Sequence, residues 1–354
     1  MTDYLRHKLH GTITTRVVCA MVFVSFVFLW LYFFQADILT VVQHKLSGGQ
    51  THYHRTIGAV VITLILMLLQ FGVYGITRLA RRTHALTYLP SMLLLAFICH
   101  FPADERGDVF SWGYWAWLAP IVLVLWAVAV WLARQLLPFE TDAKVPTGLF
   151  SRRMWVNMLQ MVAMMLLVVA ASNTEAVLHF RTHAETSLMR NDIKEVLRAG
   201  RRSRETDVNL TMLRLHALAR QGEVGEHLFD YPVQGRSTDM LPLLKSHFNL
   251  LLLSSDSLWK AFGARPRYQM TSAFYLKALE GDTISHPMVR DYILCGYLID
   301  RNLTDYTSAL VKYYPDTIKL PRFYAEALEL SRTPNHVQPK ELKKGTYSYY
   351  YYTK

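Results

Sequence analysis

Five runs of uncharged, apolar residues constrain this chain more than any other feature. They lie at 17–36, 57–76, 85–101, 112–133 and 154–172 in a sequence of 354 residues. A helix rises about 1.5 Å per residue, so twenty residues cover the roughly 30 Å hydrocarbon core of a bilayer. The average conceals this: 52% apolar residues and a mean hydropathy of +0.14 also suit an oily soluble protein. The split excludes a wholly soluble enzyme, a disordered chain and a disulfide-stapled secreted domain. The expected fold is all-α: a five-helix transmembrane bundle over 1–172, a soluble helical-repeat domain over 173–337, and a Tyr-rich tail over 338–354.

The first run is expected to remain as an anchor. Its apolar core is long, and its exit, Tyr32-Phe33-Phe34-Gln35-Ala36-Asp37, has no small-x-small cleavage pattern. The third run is the shortest and holds Pro90, which a membrane helix tolerates when neighbours satisfy the freed carbonyl. A re-entrant hairpin is the competing reading. Lys and Arg in short loops resist translocation. Arg6, Lys8 and Arg16 precede the first run; Arg78, Arg81 and Arg82 follow the second; Arg134, Lys144, Arg152 and Arg153 follow the fourth. The alternate loops hold Lys45 and Arg55, and Arg106 against Asp104, Glu105 and Asp108. Five crossings put every strongly basic loop on one side. The N-terminus is then cytoplasmic and the C-terminal half extracytoplasmic, so part of the net charge of +11 reflects topology.

Seven of the eight tryptophans fall in this half, mostly near the predicted span ends, where interfacial belts form. No Asp, Glu, Lys or Arg lies inside a span; Gln70, Asn157 and Gln160 are the strongly polar residues at depth. Ion-coupled transporters keep ionisable groups there, whereas amides serve interhelical hydrogen bonds. The bundle therefore reads as an anchor or platform.

Beyond residue 172 the pattern becomes amphipathic. Leu188, Ile193, Val196 and Leu197 lie at helical spacing and close at Gly200. A second helix starts at Thr206-Asp207, carries Leu210, Leu213, Ala217 and Leu218, and stops at Gly222. Val289, Tyr292, Ile293, Gly296 and Tyr297 open a later pair, whose second helix carries Tyr306, Leu310, Tyr313 and Tyr314. Tyr324, Ala327 and Leu328 mark a third. This bulky-small-bulky pairing over 183–225 and 266–332 resembles the tetratricopeptide class, with a plain helical bundle as the alternative. The run Leu250 to Leu253 predicts a short buried helix, and the tail from Gln338 a disordered polar end or a docked one. The segments KLPRFYAEALEL and GTYSYYYYTK resemble bacterial multi-span inner-membrane proteins that carry a tetratricopeptide-like extracytoplasmic tail. That resemblance implies architecture and localisation, with no activity and no catalytic residues.

The sequence holds no HExxH, CxxC, GxSxG, GxGxxG or phosphate-loop pattern. Of three cysteines, Cys295 alone falls in the exported half, so no disulfide can form within it. No cofactor is expected. On the outer face His52, His54, His100 and Asp104 offer metal-ligand chemistry, but at no compact spacing; solvated interfacial residues are the plainer reading. Arg198, Arg201, Arg202 and Arg204 form a basic run, either a solvated helix end or a contact for anionic lipid headgroups. An exported domain excludes nucleic acid as partner. The expected partners are the lipid bilayer and an extracytoplasmic or membrane protein. A non-catalytic interaction or envelope-assembly role leads. The alternatives are a lipid-headgroup-modifying transferase, which needs an α/β domain, and an accessory transporter subunit.

Overall fold

A computed structural model describes residues 2–100, 114–136, 150–243, 249–266, 270–282, 287–314, 319–332 and 342–353. The described residues are helical, with no strand among them, so the sheet a transferase domain would require is not found there. The chain divides into two compact units, 1–174 and 175–354.

In the first unit α1 (Thr2–Leu29) passes through a π-turn at Trp30–Phe34 into α2 (Ala36–Leu46). Then follow α3 (Arg55–Thr77), a 3₁₀ segment at Arg81–Tyr88, α4 (Leu89–Ile98), α5 (Trp115–Leu136) and α6 (Arg152–Ala171). Among the described residues, four helices are long and apolar enough to cross a membrane: Ile13–Phe34, Arg55–Thr77, Trp115–Gln135 and Arg152–Ala171. Their outward faces are apolar, with Leu68 67% and Leu166 64% exposed, as a lipid-facing surface requires.

The third run departs from the single helix expected over 85–101. Pro90 sits in the first turn of α4, where its missing N–H costs no intrahelical bond, and the chain before it tightens into 3₁₀ turns. Phe101 lies outside the described residues. This segment is interior: Ala85, Thr87, Ser91, Leu95 and Cys99 are all fully buried. Polar bonds hold it in place. Asn157 of α6 accepts from Ala85 N at 2.8 Å and donates to the carbonyls of Arg81 at 2.7 Å and Arg153 at 2.8 Å. Gln70 donates to Thr87 at 3.0 Å, Ser91 to the Leu66 carbonyl at 2.9 Å, and Trp126 to the Leu86 carbonyl at 2.9 Å.

Contacts pair the helix ends in two layers. Tyr74, late in α3, meets Arg16 of α1 and the ring of His84, 5.4 Å away. Arg134, late in α5, donates to the carbonyls of Thr77 at 3.0 Å and Ile76 at 2.6 Å. In the other layer Arg55 donates to the Tyr32 carbonyl at 2.5 Å, Asn173 N to Cys99 O at 3.4 Å, and Phe97 packs on Trp115 at 5.8 Å. The 3₁₀ segment thus begins in the first layer, and α4 ends in the second.

The second unit contains α7 (Ala176–Met189), α8 (Ile193–Arg198), α9 (Val208–Gln221), α10 (Val224–His227), α11 (Ser255–Phe262), α12 (Ser272–Asp282), α13 (Pro287–Ile299), α14 (Leu303–Tyr313), α15 (Arg322–Arg332) and α16 (Tyr347–Thr353). Asp207 caps α9 by accepting from Leu210 N at 2.7 Å, and Asn302 caps α14 by accepting from Asp305 N at 3.1 Å. Leucines are joined in the core by several large buried tyrosines, whose hydroxyls reach backbone carbonyls: Tyr306 that of Tyr324 at 2.8 Å, Tyr275 that of Ala264 at 2.5 Å. A buried phenol then brings apolar area without an orphaned donor.

Three sequence expectations are corrected here. The helix expected to run from Glu185 towards Gly200 is two helices. The chain turns at Asn191, with φ +61°, and Asp192 caps α8 by accepting from Glu195 N at 3.2 Å. Leu250 to Leu253 is not helical. Leu251 N and Leu252 N donate to the fully buried Glu185 carboxylate at 2.9 and 2.8 Å, which takes the donors a helix would use. The tail docks instead of staying disordered. Tyr347 and Tyr350 are buried, and their hydroxyls donate to the carbonyls of Leu298 at 3.2 Å and Ile299 at 2.9 Å, which end α13.

Candidate functional site: a groove and a basic loop

Two surface features of the C-terminal unit bear on function. The first is a groove of about 650 Å³ with α13 as its floor and α12 and α14 as its walls. The hairpin of α13 and α14 turns within Asp300–Asn302, which keeps the two axes close. Tyr292, Ile293, Gly296 and Tyr297 line the floor, and Lys277, Glu280, Asp300, Asp305 and Lys312 add charge at the walls. Glu280 accepts from Lys312 Nζ at 2.5 Å and from the Tyr313 hydroxyl. Partial burial pushes its carboxyl up, but these donors and Lys277 outweigh that and hold it below the usual range. Asp300 accepts from Ser237 N at 2.9 Å and from the Ser237 hydroxyl, which pins the preceding loop to the groove rim. The walls are therefore rigid before any partner arrives. An apolar floor between charged walls suits an extended peptide, which brings apolar side chains and backbone amides together.

The second feature is the loop carrying Arg198, Arg201, Arg202 and Arg204, all four exposed. Arg214, 1% exposed, lies beneath it and donates to the Ala199 carbonyl at 2.7 Å and to the Thr206 hydroxyl at 3.5 Å. Burial lowers its pKa to about 10, and the guanidinium stays charged at neutral pH against the Tyr231 ring, 4.9 Å away. Tyr231 donates in turn to the Leu197 carbonyl at 3.1 Å. Gly200 adopts φ +59°, and a Cβ there would come within 2.6 Å of the Phe180 ring, so only glycine fits. The sequence run showed the four arginines but not their support. Arg214 sits between apolar positions of α9, and nothing in the local spacing marks it as buried.

The histidines of the candidate metal set behave differently. His54 caps α3, its Nδ1 accepting from Ile57 N at 3.4 Å, while His52 is exposed. His100 packs its ring against Tyr114 at 5.0 Å and Trp115 at 5.9 Å. Asp104 lies outside the described residues. Among the described residues no three His, Cys, Asp or Glu side chains form a group able to hold a metal ion. No protein-family model, curated protein or solved structure matches this chain.

Proposed function

We propose that this chain is an integral protein of a bacterial inner membrane that presents a helical C-terminal domain to an extracytoplasmic protein partner. The groove over α13 carries the reading: it is open, held by its own ion pairs and hydrogen bonds, and shaped for an extended segment. Paired helices that leave a continuous groove are a binding design of tetratricopeptide-like repeats. The topology rests on five crossings. The paired helix ends support this, since the third segment starts beside Tyr74 and Asn157 and finishes beside Trp115 and Asn173. The basic residues of alternate loops support the same count.

A photocrosslinking residue placed at Ala309, in the groove, tests the function in the intact membrane. It should give one discrete adduct, absent when the same residue stands at Lys194 on α8. Groove filling by Ala273→Trp should abolish the adduct while the protein still accumulates in the membrane. Adducts of equal yield from both positions, or persistence after filling, would refute the groove as the interaction site.

A further inference from the structure

The basic loop invites its own reading, independent of the groove. We propose that Arg201, Arg202 and Arg204 dock the C-terminal unit onto anionic phospholipid headgroups. Nearby acids are committed elsewhere: Asp192 and Asp207 cap helices, and Glu195 pairs with Arg198 at 2.5 Å. Glu205 is the remaining carboxylate within the run, set against three exposed guanidiniums. The loop is ordered in advance. Its two ends hang on Arg214, Tyr231 supports Leu197, and Ser203 N bonds to Gly200 O at 3.0 Å. Binding therefore forfeits little backbone freedom.

Connectivity supplies the partner. The loop rests on Phe180 through Gly200, and Phe180 lies eight positions after Ser172, which closes the last apolar helix. Eight residues span at most about 28 Å even when fully extended, so a bilayer surface is always within tether range. A flexible basic tail would meet the same surface only at the cost of ordering itself. A headgroup phosphate, anionic and with several acceptor oxygens, can take two N–H bonds from the planar guanidinium fork.

The test uses the full-length protein in lipid nanodiscs. Lys194→Cys on α8 carries a spin label, since the native cysteines are fully buried. Relaxation by a nickel-chelating lipid then reports how close the loop comes to the headgroups. Anionic lipid should strengthen relaxation over zwitterionic lipid alone, and salt should reverse the gain. Each cation near an anionic surface changes the docking equilibrium constant roughly fivefold, so Arg201→Gln, Arg202→Gln and Arg204→Gln together should lower that constant about a hundredfold. Retained protection of Cys295 from thiol reagents would show that the triple variant is folded. Relaxation independent of lipid charge, or unchanged in the folded triple variant, would overturn the proposal.

Discussion

Replacing Glu185 by alanine should produce the largest loss of stability available from one side chain in the C-terminal unit. Its carboxylate is wholly buried and accepts from Leu251 N at 2.9 Å and Leu252 N at 2.8 Å, while Arg181 Nε lies at 3.4 Å. Hydrogen bonds to a charged acceptor contribute about 1.5–3 kcal/mol each. Removing the counter-charge of a buried guanidinium costs about 3–5 kcal/mol, and Arg181, 7% exposed at its side chain, would keep the Asn249 carbonyl as an acceptor. The contributions share one group and do not add, so we expect a loss of about 4–5 kcal/mol, a large part of the roughly 5–15 kcal/mol of an ordinary domain. Cys295 is the sole cysteine after residue 174 and is fully buried, so its labelling by a polar thiol reagent across a urea series reads the unfolding of this unit. Glu185→Gln keeps one acceptor oxygen and should lose about half as much. Arg181→Met with Glu185→Leu should recover the part due to the stranded charge but not the part due to two unsatisfied N–H groups. A Glu185→Ala stability change of less than about 1 kcal/mol, from the shift in urea midpoint, would show that the carboxylate does not hold this segment.

Acid should weaken the same unit through His216, which burial and nearby Arg220 push down to about 3. The unfolded chain takes up the proton near pH 6.5, the ordinary value, while the folded chain does not. Stability is thus present above pH 6.5 and falls on the way to pH 3, by about 1.4 kcal/mol per unit. From pH 7 to pH 5 the native chain should lose about 2 kcal/mol more than His216→Leu; parallel losses would contradict this. Tyr347→Ala should cost about 3–5 kcal/mol by emptying the site beside Phe229, whose ring lies 5.0 Å away, measured by the same labelling. Asn157→Leu should release the third segment by removing three hydrogen bonds, with a loss of about 3 kcal/mol seen as a lower melting temperature in detergent.

How much of this was legible in the sequence depended on whether the cause was local. The cap of α9 lies within three residues of the turn it closes, so the Thr206-Asp207 start could be read directly. The apolar runs announced the four long helices through length and composition alone. Leu250 to Leu253 misled because its conformation is decided by Glu185, 66 residues earlier in the chain. The tail misled for a similar reason: a run of tyrosines looks polar until the exposed carbonyls of Leu298 and Ile299 supply acceptors for it. In the candidate sites, the arginine run was visible, but the buried Arg214 that shapes it was not. The groove was invisible too, because its walls come from separate helices whose charges appear, in sequence, as ordinary solvated faces.

With the cytoplasmic N-terminus that we propose from the basic loops, the side of the C-terminal unit depends on the third segment, since four crossings would return the chain to the cytoplasm and five would not. A dual reporter fused after Lys354, alkaline phosphatase in one version and a fluorescent protein in the other, measures this directly. Five crossings predict active phosphatase and no fluorescence. A fluorescent fusion with inactive phosphatase would contradict that count, and would place the groove and the basic loop on the cytoplasmic side.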